Sequence, residues 1–477
     1  MITCPVFFRR PASSDAFSDV APAHRALAEG RYETAVTLLE GATKRQRRRS
    51  SQAQIKLYLA ATYALYGPDG LEWGAAKLRE AAQADHEVTQ LPLYRALYWE
   101  FAAYRGDATA DVRQGALAAG RSGEAIAVYH AASALFAIHA YRRTTKLLQK
   151  VEPLSLPDYL RWRYWSLLGK AFDASDQLED AVSAFEKAVA LSQGLERQLE
   201  SLNLAAGLLE LHRAEHALRV LSETQPDALD DTEKPLRIYL EGRAHLLLGN
   251  PNLALEHLQR ASALEDQSGE ASYTYKLALA QCYGALGHYP QAITGYTRAI
   301  ELAPKKQRTW TLHECALLLL EADRLDDARE LLLEALRSEG YAYRAEVHAD
   351  LAEVEYKRAN LSGAADYALR ALDLGATVSA CLTLGSIAYE YYHLDEAIGW
   401  FEKAAAASLE GSPDWLHTQE MLADIFVQQG YKKPDRVIFH AEAALRFLAP
   451  SEEWALILRG YCVEAHTYLQ GHSRRFN

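Results

Sequence analysis

A small residue returns along this chain at nearly constant intervals, always inside a segment with the apolar spacing of a helix. The intervals between successive members are 36, 37, 38, 36, 36 and 33 residues. Two apolar runs fall within each interval, and a period of this size with two runs predicts a stack of helix pairs. The recurring residues are Ala181, Ala217, Ala254, Ala292, Ala328, Ala364 and Ala397.

The residues around this marker resemble the tetratricopeptide repeat, whose pattern is W-x2-L-G-x2-Y, then Ala, an aromatic, Ala and Pro. The fullest match is Trp165, Leu168, Gly169, Phe172, Ala181, Phe185 and Ala188. Further matches are Leu279, Ala280, Tyr283, Gly287, Ala292, Tyr296, Ala299 and Pro304; Gly242, Gly249, Ala254, Leu258 and Ala261; and Leu384, Gly385, Ala397, Phe401 and Ala404. The resemblance is specific between about 160 and 410 and weaker on either side.

Packing explains the spacing. Residues at i, i+3, i+4 and i+7 share one helix face. Gly169 and Ala181 are small where two helices of a pair are expected to cross, and Phe185 fills the space that they leave. The resemblance therefore implies an all-α, right-handed superhelical solenoid of roughly eleven to thirteen helix pairs. We expect an irregular N-terminal segment at 1–21, the repeat array at 22–450, and a capping helix with a tail at 451–477.

Composition narrows the class of protein. The chain has 477 residues, a formal net charge of −12 and five cysteines that are far apart in sequence. Dispersed cysteines of odd number favour reduced thiols and hence a cytoplasmic location. No apolar run reaches membrane-spanning length, and the N-terminus lacks the features of a secretory signal, so we expect no membrane insertion. An acidic chain is a poor general binder of nucleic acid.

No motif for catalysis is recognisable. The Gly-Lys of LLGKAF lacks the remaining residues of a phosphate-binding loop, and the carboxylates show no acid/base pairing. His212 and His216 have a metal-like spacing but bracket an expected turn, which favours a solvated turn over a metal site. We therefore expect no cofactor and no enzymatic activity.

The resemblance also implies where a partner binds. Ligand-facing side chains in the family lie on the first helix of each pair, at the second, fifth, ninth and twelfth places of the repeat, with an Asn at the sixth place holding peptide backbone. Asn203 has a second interpretation, an amide bonded to a neighbouring helix. The matching positions are Arg163, Ser166, Lys170, Asp173, Asn203, Tyr239, Arg243, Gln281, His313, Glu346, Glu353, Tyr356, Ser386 and Tyr389.

The strongest charge feature is the run KRQRRR, which contains Lys44, Arg45, Arg47, Arg48 and Arg49. One hypothesis is a solvated, mobile loop between the first two repeats. The other is a site for an anion, such as nucleic acid, an acidic protein tail or anionic lipid.

Three functions are compatible with these patterns. The favoured one is a non-enzymatic scaffold, adaptor or regulatory subunit that binds a protein or peptide partner on the inner face. The alternative is an accessory factor that binds nucleic acid or another anion through residues 44–49. The third is an enzyme with an unrecognised site. Helix packing explains every strong pattern, so little of the chain remains for a catalytic domain.

Overall fold

The computed structural model describes residues 14–225, 229–231, 233–268 and 272–473. These residues form 25 α-helices and no β-strand. The chain divides into two compact units, Met1–Gly269 and Glu270–Asn477, which we call the N-terminal and C-terminal units.

The described part of the N-terminal unit contains seven antiparallel helix pairs and three short 3-10 helices, at Gly67–Gly70, His86–Gln90 and Pro153–Ser155. The pairs are α1 (Ser14–Ala28) with α2 (Tyr32–Arg45), α3 (Arg49–Ala64) with α4 (Leu71–Ala84), α5 (Pro92–Tyr104) with α6 (Thr109–Gly120), α7 (Ala125–Ala137) with α8 (Tyr141–Leu148), α9 (Asp158–Asp173) with α10 (Leu178–Leu191), α11 (Gly194–Glu210) with α12 (Ala214–Ser222), and α13 (Glu233–Leu247) with α14 (Pro251–Ser268).

The C-terminal unit contains five described pairs and a final helix. They are α15 (Tyr273–Ala285) with α16 (Tyr289–Leu302), α17 (Lys305–Glu321) with α18 (Leu325–Leu336), α19 (Arg344–Lys357) with α20 (Leu361–Leu374), α21 (Thr377–Glu390) with α22 (Leu394–Ala407), α23 (Pro413–Gln428) with α24 (Pro434–Leu445), and α25 (Glu453–Ser473). Twelve described pairs agree with the predicted number, so the all-α solenoid prediction is confirmed.

Each unit is built in the same way. The two helices of a pair pack against each other, and the second helix packs against the first helix of the next pair within the unit. Small residues lie where the helices of a pair cross. A Cβ built on Gly169 would lie 2.7 Å from ring carbons of Phe185, and one on Gly385 would lie 3.0 Å from the ring of Phe401. The predicted role of Gly169 in close helix packing is therefore confirmed, and Gly385 lies similarly close to its partner ring.

One backbone feature marks every described pair. A residue with positive φ follows the first helix and reverses the chain toward the second, and in half of the pairs it is not glycine. A non-glycine residue is strained at positive φ. The packing of the two helices therefore determines the turn more than the residue's own backbone preference does. These residues are Gly30, Gly67, Gly106, His139, Asp176, His212, Gly249, Gly287, Asp323, Ala359, Tyr392 and Gly430.

The N-terminal boundary differs from the expectation. The segment 1–21 was expected to be irregular, but α1 begins at Ser14 and contains Pro22 in its interior. Val20 and Ala23 on this helix are fully buried, so its apolar face extends across the proline. Burial of that face offsets the backbone hydrogen bond that a proline cannot donate. Residues 1–13, including Cys4, lie outside the described residues.

Candidate functional site

All of the predicted inner-face residues lie on the first helices of their pairs. We call the surface that these helices share within one unit the first-helix face. Side chains on this face bond from one first helix to the next, so the helices form a connected surface in each unit. Lys170, Asp173, Glu346 and Glu353 are exposed, whereas Ser166, Tyr239 and His313 are buried.

In the N-terminal unit, the first-helix face is built around the carboxylate of Glu200, which is 3% exposed. Ser166 on α9 donates its hydroxyl to Glu200 Oε1 at 2.8 Å. Asn203 on α11 donates its side-chain amide to Glu200 Oε2 at 3.3 Å. Asn203 therefore has a partner, but this partner lies one turn earlier on its own helix and not on a neighbouring helix.

Arg163, predicted to face a ligand, is engaged by the first helix pair. Its guanidinium donates to the hydroxyl oxygen of Tyr32 at 2.5 Å, and the Tyr32 hydroxyl donates to Glu196 Oε1 at 2.5 Å. The ring of His24 lies 5.5 Å from Tyr58 and 5.2 Å from Tyr159. The first pair thus contacts α9 and α11, because the stack of this unit brings its first and fifth pairs together.

The first-helix face of this unit contains a cavity of about 480 Å³. Its lining mixes aromatic, acidic and basic side chains, including Tyr129, Lys170 and Asn203. Burial, together with Glu100, Tyr104 and Glu200 nearby, raises the pKa of the Tyr129 hydroxyl although Arg163 lowers it. The hydroxyl therefore keeps its proton and remains a hydrogen-bond donor at neutral pH.

One lining residue of this cavity, Glu100, belongs to a buried polar pair that the sequence patterns did not identify. Glu100 on α5 and His130 on α7 are 2% and 1% exposed, and His130 Nδ1 lies 2.7 Å from Glu100 Oε2. The sequence did contain a signal for this pair. Glu100 and His130 each interrupt an apolar helical run, and a buried polar side chain requires a partner.

Two of the three basic side chains predicted on this face have partners within the chain. Arg243 donates to Glu210 Oε1 at 2.8 Å, and its guanidinium lies 5.9 Å from the centre of the Tyr239 ring. Lys170 has no carboxylate within 4 Å among the described residues. Burial and the nearby carboxylates of Glu210 and Asp176 raise the pKa of Asp173. The pairing of Arg243 with Glu210 reduces the positive charge of this face, whereas the bond from Arg163 to a neutral hydroxyl does not.

In the C-terminal unit, the first-helix face combines tyrosines with carboxylates. His313 Nε2 lies 2.6 Å from Asp350 Oδ2, and its Nδ1 lies 3.2 Å from the Tyr341 hydroxyl. Tyr356 donates its hydroxyl to Glu390 at 3.3 Å. Gln281 and Ser386 lie partly buried on α15 and α21.

Tyr389 belongs to a larger cluster around Asp424 on α23. Tyr389 donates its hydroxyl to Asp424 Oδ2 at 2.7 Å, and Tyr461 on α25 donates to Oδ1 at 2.7 Å. The side-chain amide of Gln428 donates to Oδ2, also at 2.7 Å. The sequence analysis identified Tyr389 but missed Asp424, Gln428 and Tyr461, although Asp424 follows Leu422 and Ala423 as Ser386 follows Leu384 and Gly385.

The basic run lies at the junction of the first two pairs. Lys44 and Arg45 end α2, Arg49 begins α3, and only residues 46–48 connect the helices. All five basic side chains are exposed, and no carboxylate of the described residues lies within 4 Å of them. The first turn of α3 contains no acidic residue.

The remaining expectations concern metals, membranes and cysteines. His212 lies in the turn between α11 and α12 with φ +56°, and His216 lies on α12. Within the described residues, no group of three or more metal-ligating side chains is present. None of the described helices has the length and hydropathy to cross a bilayer. Four cysteines lie within the described residues and form no disulfide there, namely Cys282, Cys315, Cys381 and Cys462.

The chain resembles several solved structures at low identity. They include the APC/C hetero-tetramer Cut9–Hcn1 (16% identity, TM-score 0.42, 93% of this chain and 95% of that chain). The apo quorum sensor NprR of B. thuringiensis gives 14% identity and a TM-score of 0.47 over 63% of this chain and 97% of that chain. A Rap protein complexed with Competence and Sporulation Factor gives 14% identity and a TM-score of 0.45 over 68% of this chain and 97% of that chain. We carry no function over from these proteins.

No curated protein shows significant similarity to the chain. A family model for the tetratricopeptide repeat matches residues 163–194 and 273–306, one segment in each unit. The first segment contains the Trp165–Ala188 pattern, and the second contains the pattern from Leu279 to Pro304. The resemblance to the tetratricopeptide repeat is therefore confirmed by one matching segment in the N-terminal unit and one in the C-terminal unit.

Proposed function

We propose that this chain is a non-enzymatic interaction scaffold, an adaptor or regulatory subunit, that binds a protein or peptide partner on its first-helix faces. The observation that carries the proposal is the nature of those faces. Tyrosines, carboxylates and amides recur there at the repeat period, on helices whose opposite sides form the core. Tyrosine supplies large contact area at low entropic cost, which suits recognition of another chain.

The charges of the two faces indicate different partner chemistry. In the N-terminal unit, Arg243 is paired with Glu210, whereas Arg163 bonds a neutral hydroxyl and Lys170 has no carboxylate within 4 Å among the described residues. The C-terminal unit has 20 basic and 29 acidic residues in its sequence, and Glu346 and Glu353 are exposed on its first-helix face. Charge complementarity therefore favours a basic partner segment at the C-terminal unit.

Site-specific photo-crosslinking in the native source tests this function. A photoreactive residue at Lys170 on α9 or Glu353 on α19 places the probe on a first-helix face. Matched controls at Glu186 on α10 and Asp366 on α20 place it at exposed positions of the second helices. We expect a discrete adduct from the first-helix positions only. Adducts formed only from the second-helix positions would contradict the proposal.

One observation favours a second candidate function, anion or nucleic-acid binding by residues 44–49. Five exposed cations without described carboxylate partners surround the start of a helix. Basic clusters bind phosphates with a strong dependence on salt. Retention on immobilised single-stranded DNA should then fall steeply with salt, and replacing Arg45, Arg47, Arg48 and Arg49 with Gln should abolish it. Retention that the replacement leaves unchanged would remove this candidate.

A further inference from the structure

Two first helices of the C-terminal unit and its final helix meet at one carboxylate. Asp424 on α23 accepts hydrogen bonds from Tyr389 on α21 and from Tyr461 on α25, each at 2.7 Å. Gln428, one turn along α23, donates to the same carboxylate. Asp424 and both tyrosines are partly exposed, so the cluster lies at an accessible surface.

The three donors are neutral, so they orient the carboxylate without cancelling its charge. No Lys, Arg or His nitrogen of the described residues lies within 4 Å of Asp424. Other carboxylates on this face do have basic neighbours: Asp350 lies beside His313, and Glu353 lies 3.0 Å from Lys357. A partly buried carboxylate without a cation is electrostatically incomplete, and a bound cation would stabilise it.

The hydrogen bonds already present limit what can bind. A carboxylate offers about four lone-pair positions, two on each oxygen. Tyr389 and Gln428 both donate to Oδ2, whereas only Tyr461 donates to Oδ1. One acceptor position therefore remains, on Oδ1, beside two tyrosine rings that can also attract a positive charge.

We propose that Asp424, held by Tyr389, Tyr461 and Gln428, receives one cationic side chain, the guanidinium of Arg or the ammonium of Lys, from a basic segment of the partner. This inference rests on the proposed function and assigns the partner chemistry of the C-terminal face. Asp424 is a preformed anionic acceptor, and the incoming N–H group donates to Oδ1.

The arrangement recurs along the face. Tyr356 donates to Glu390, 34 residues further on, as Tyr389 does to Asp424, 35 residues further on. A related bond lies beside the face: Tyr431, in the turn after α23, donates to Glu464 on α25, which is exposed. Packed helices are about 8–10 Å apart, and an extended chain rises about 3.3 Å per residue. Basic side chains at every third position of the ligand would therefore match successive carboxylates.

The test uses the full chain and the synthetic peptide Ser-Arg-Ser-Ser-Arg-Ser-Ser-Arg-Ser, with binding measured by calorimetry at low salt. A second peptide has Lys in place of Arg, and a third has Glu. We expect the Arg and Lys peptides to bind and the Glu peptide not to bind. Asp424→Asn should weaken binding about tenfold, because a charge-assisted hydrogen bond is lost. Asp366→Asn removes the same charge from α20 and should change the affinity less than about twofold.

The proposal is wrong if the wild-type chain binds no basic peptide, if Asp424→Asn binds as tightly as wild type, or if Asp366→Asn loses as much affinity. Circular dichroism and thermal melting check the fold of each variant. If Asp424→Asn does not fold, Tyr461→Phe replaces it: this variant keeps the charge but loses one orienting donor. It should weaken binding measurably, and unchanged affinity would then overturn the proposal.

The two proposals fail in different ways. A partner that crosslinks at Lys170 or Glu353 but binds Asp424→Asn normally would contradict only the cation site. A partner that crosslinks only at second-helix positions would contradict the proposed function itself.

Discussion

Gly169 and Phe185 pack so closely that a Cβ on the glycine would lie 2.7 Å from two ring carbons of the phenylalanine. Phe185 is 4% exposed, so its ring has little freedom to move away. The contact joins the two helices of the fifth pair, and the same relationship joins Gly385 to Phe401 in the C-terminal unit. The repeated small residue in the sequence allows the two helices of a pair to approach this closely.

The first prediction follows from this contact. Gly169→Ala should lower the free energy of unfolding by about 1–3 kcal/mol, because overpacking forces the helices apart. Gly399→Ala is the matched control: Gly399 lies within α22, and no atom of another part of the chain lies within 4 Å of its Cβ position. There the higher helix propensity of Ala should stabilise by about 0.5–1 kcal/mol. Equal effects of the two substitutions in urea denaturation would show that the Gly169 contact is unimportant.

The second prediction concerns the buried pair in the N-terminal unit. His130→Leu leaves the Glu100 carboxylate buried without its partner and should destabilise the unit by about 3–5 kcal/mol. Replacing both residues with Leu removes the unpaired charge and should recover much of this loss. Urea denaturation of the three proteins measures the difference. A double variant as unstable as the single one would indicate that the loss arises from packing rather than from charge.

The third prediction concerns pH. Burial, with Glu452 nearby, raises the pKa of Glu420 from 4.5 to about 7. Between these values the folded chain binds more protons than the unfolded one. The contribution of Glu420 to stability is therefore fully present below pH 4.5 and is lost as pH rises through 7. The slope is at most about 1.4 kcal/mol per pH unit. Glu420→Gln should gain stability relative to wild type as pH rises across this window, measured by denaturation at several pH values.

His440 makes stability depend on pH in the opposite direction, which provides an internal check on the Glu420 result. Burial and Arg436 lower its pKa from 6.5 to about 4. Its contribution is present above pH 6.5 and is lost as pH falls through 4. A Glu420→Gln profile parallel to that of wild type from pH 4.5 to 7 would show that Glu420 titrates normally.

The helix pairs were predictable because their cause is local. The spacing of Gly169, Ala181 and Phe185 along the sequence already determines which residues meet in the pair. The link between Tyr32 and Arg163 was not predictable, because it joins residues 131 positions apart. It depends on small packing angles accumulated over several pairs, which no short pattern encodes.

The candidate site was predictable only in part, for a related reason. The resemblance identified positions on the first helices, and Tyr389 is one of them. Asp424 and Tyr461 became part of the site because three helices place their side chains together, 35 and 37 residues apart in sequence. The array was expected to begin at residue 22, but the burial of Val20 and Ala23 carries α1 across Pro22.

The most direct test of the central claim is the affinity of the crosslinked partner for three variants of the chain. Asn203→Ala and Tyr356→Ala each change one first-helix face, and the third variant replaces Arg45, Arg47, Arg48 and Arg49 with Gln. We expect each of the first two to weaken binding by about fivefold or more, since each removes more than about 1 kcal/mol of contact energy. The third variant should bind as wild type does, and all three should keep the wild-type circular dichroism. Loss of binding in the third variant alone would contradict the account and assign the partner to the basic run.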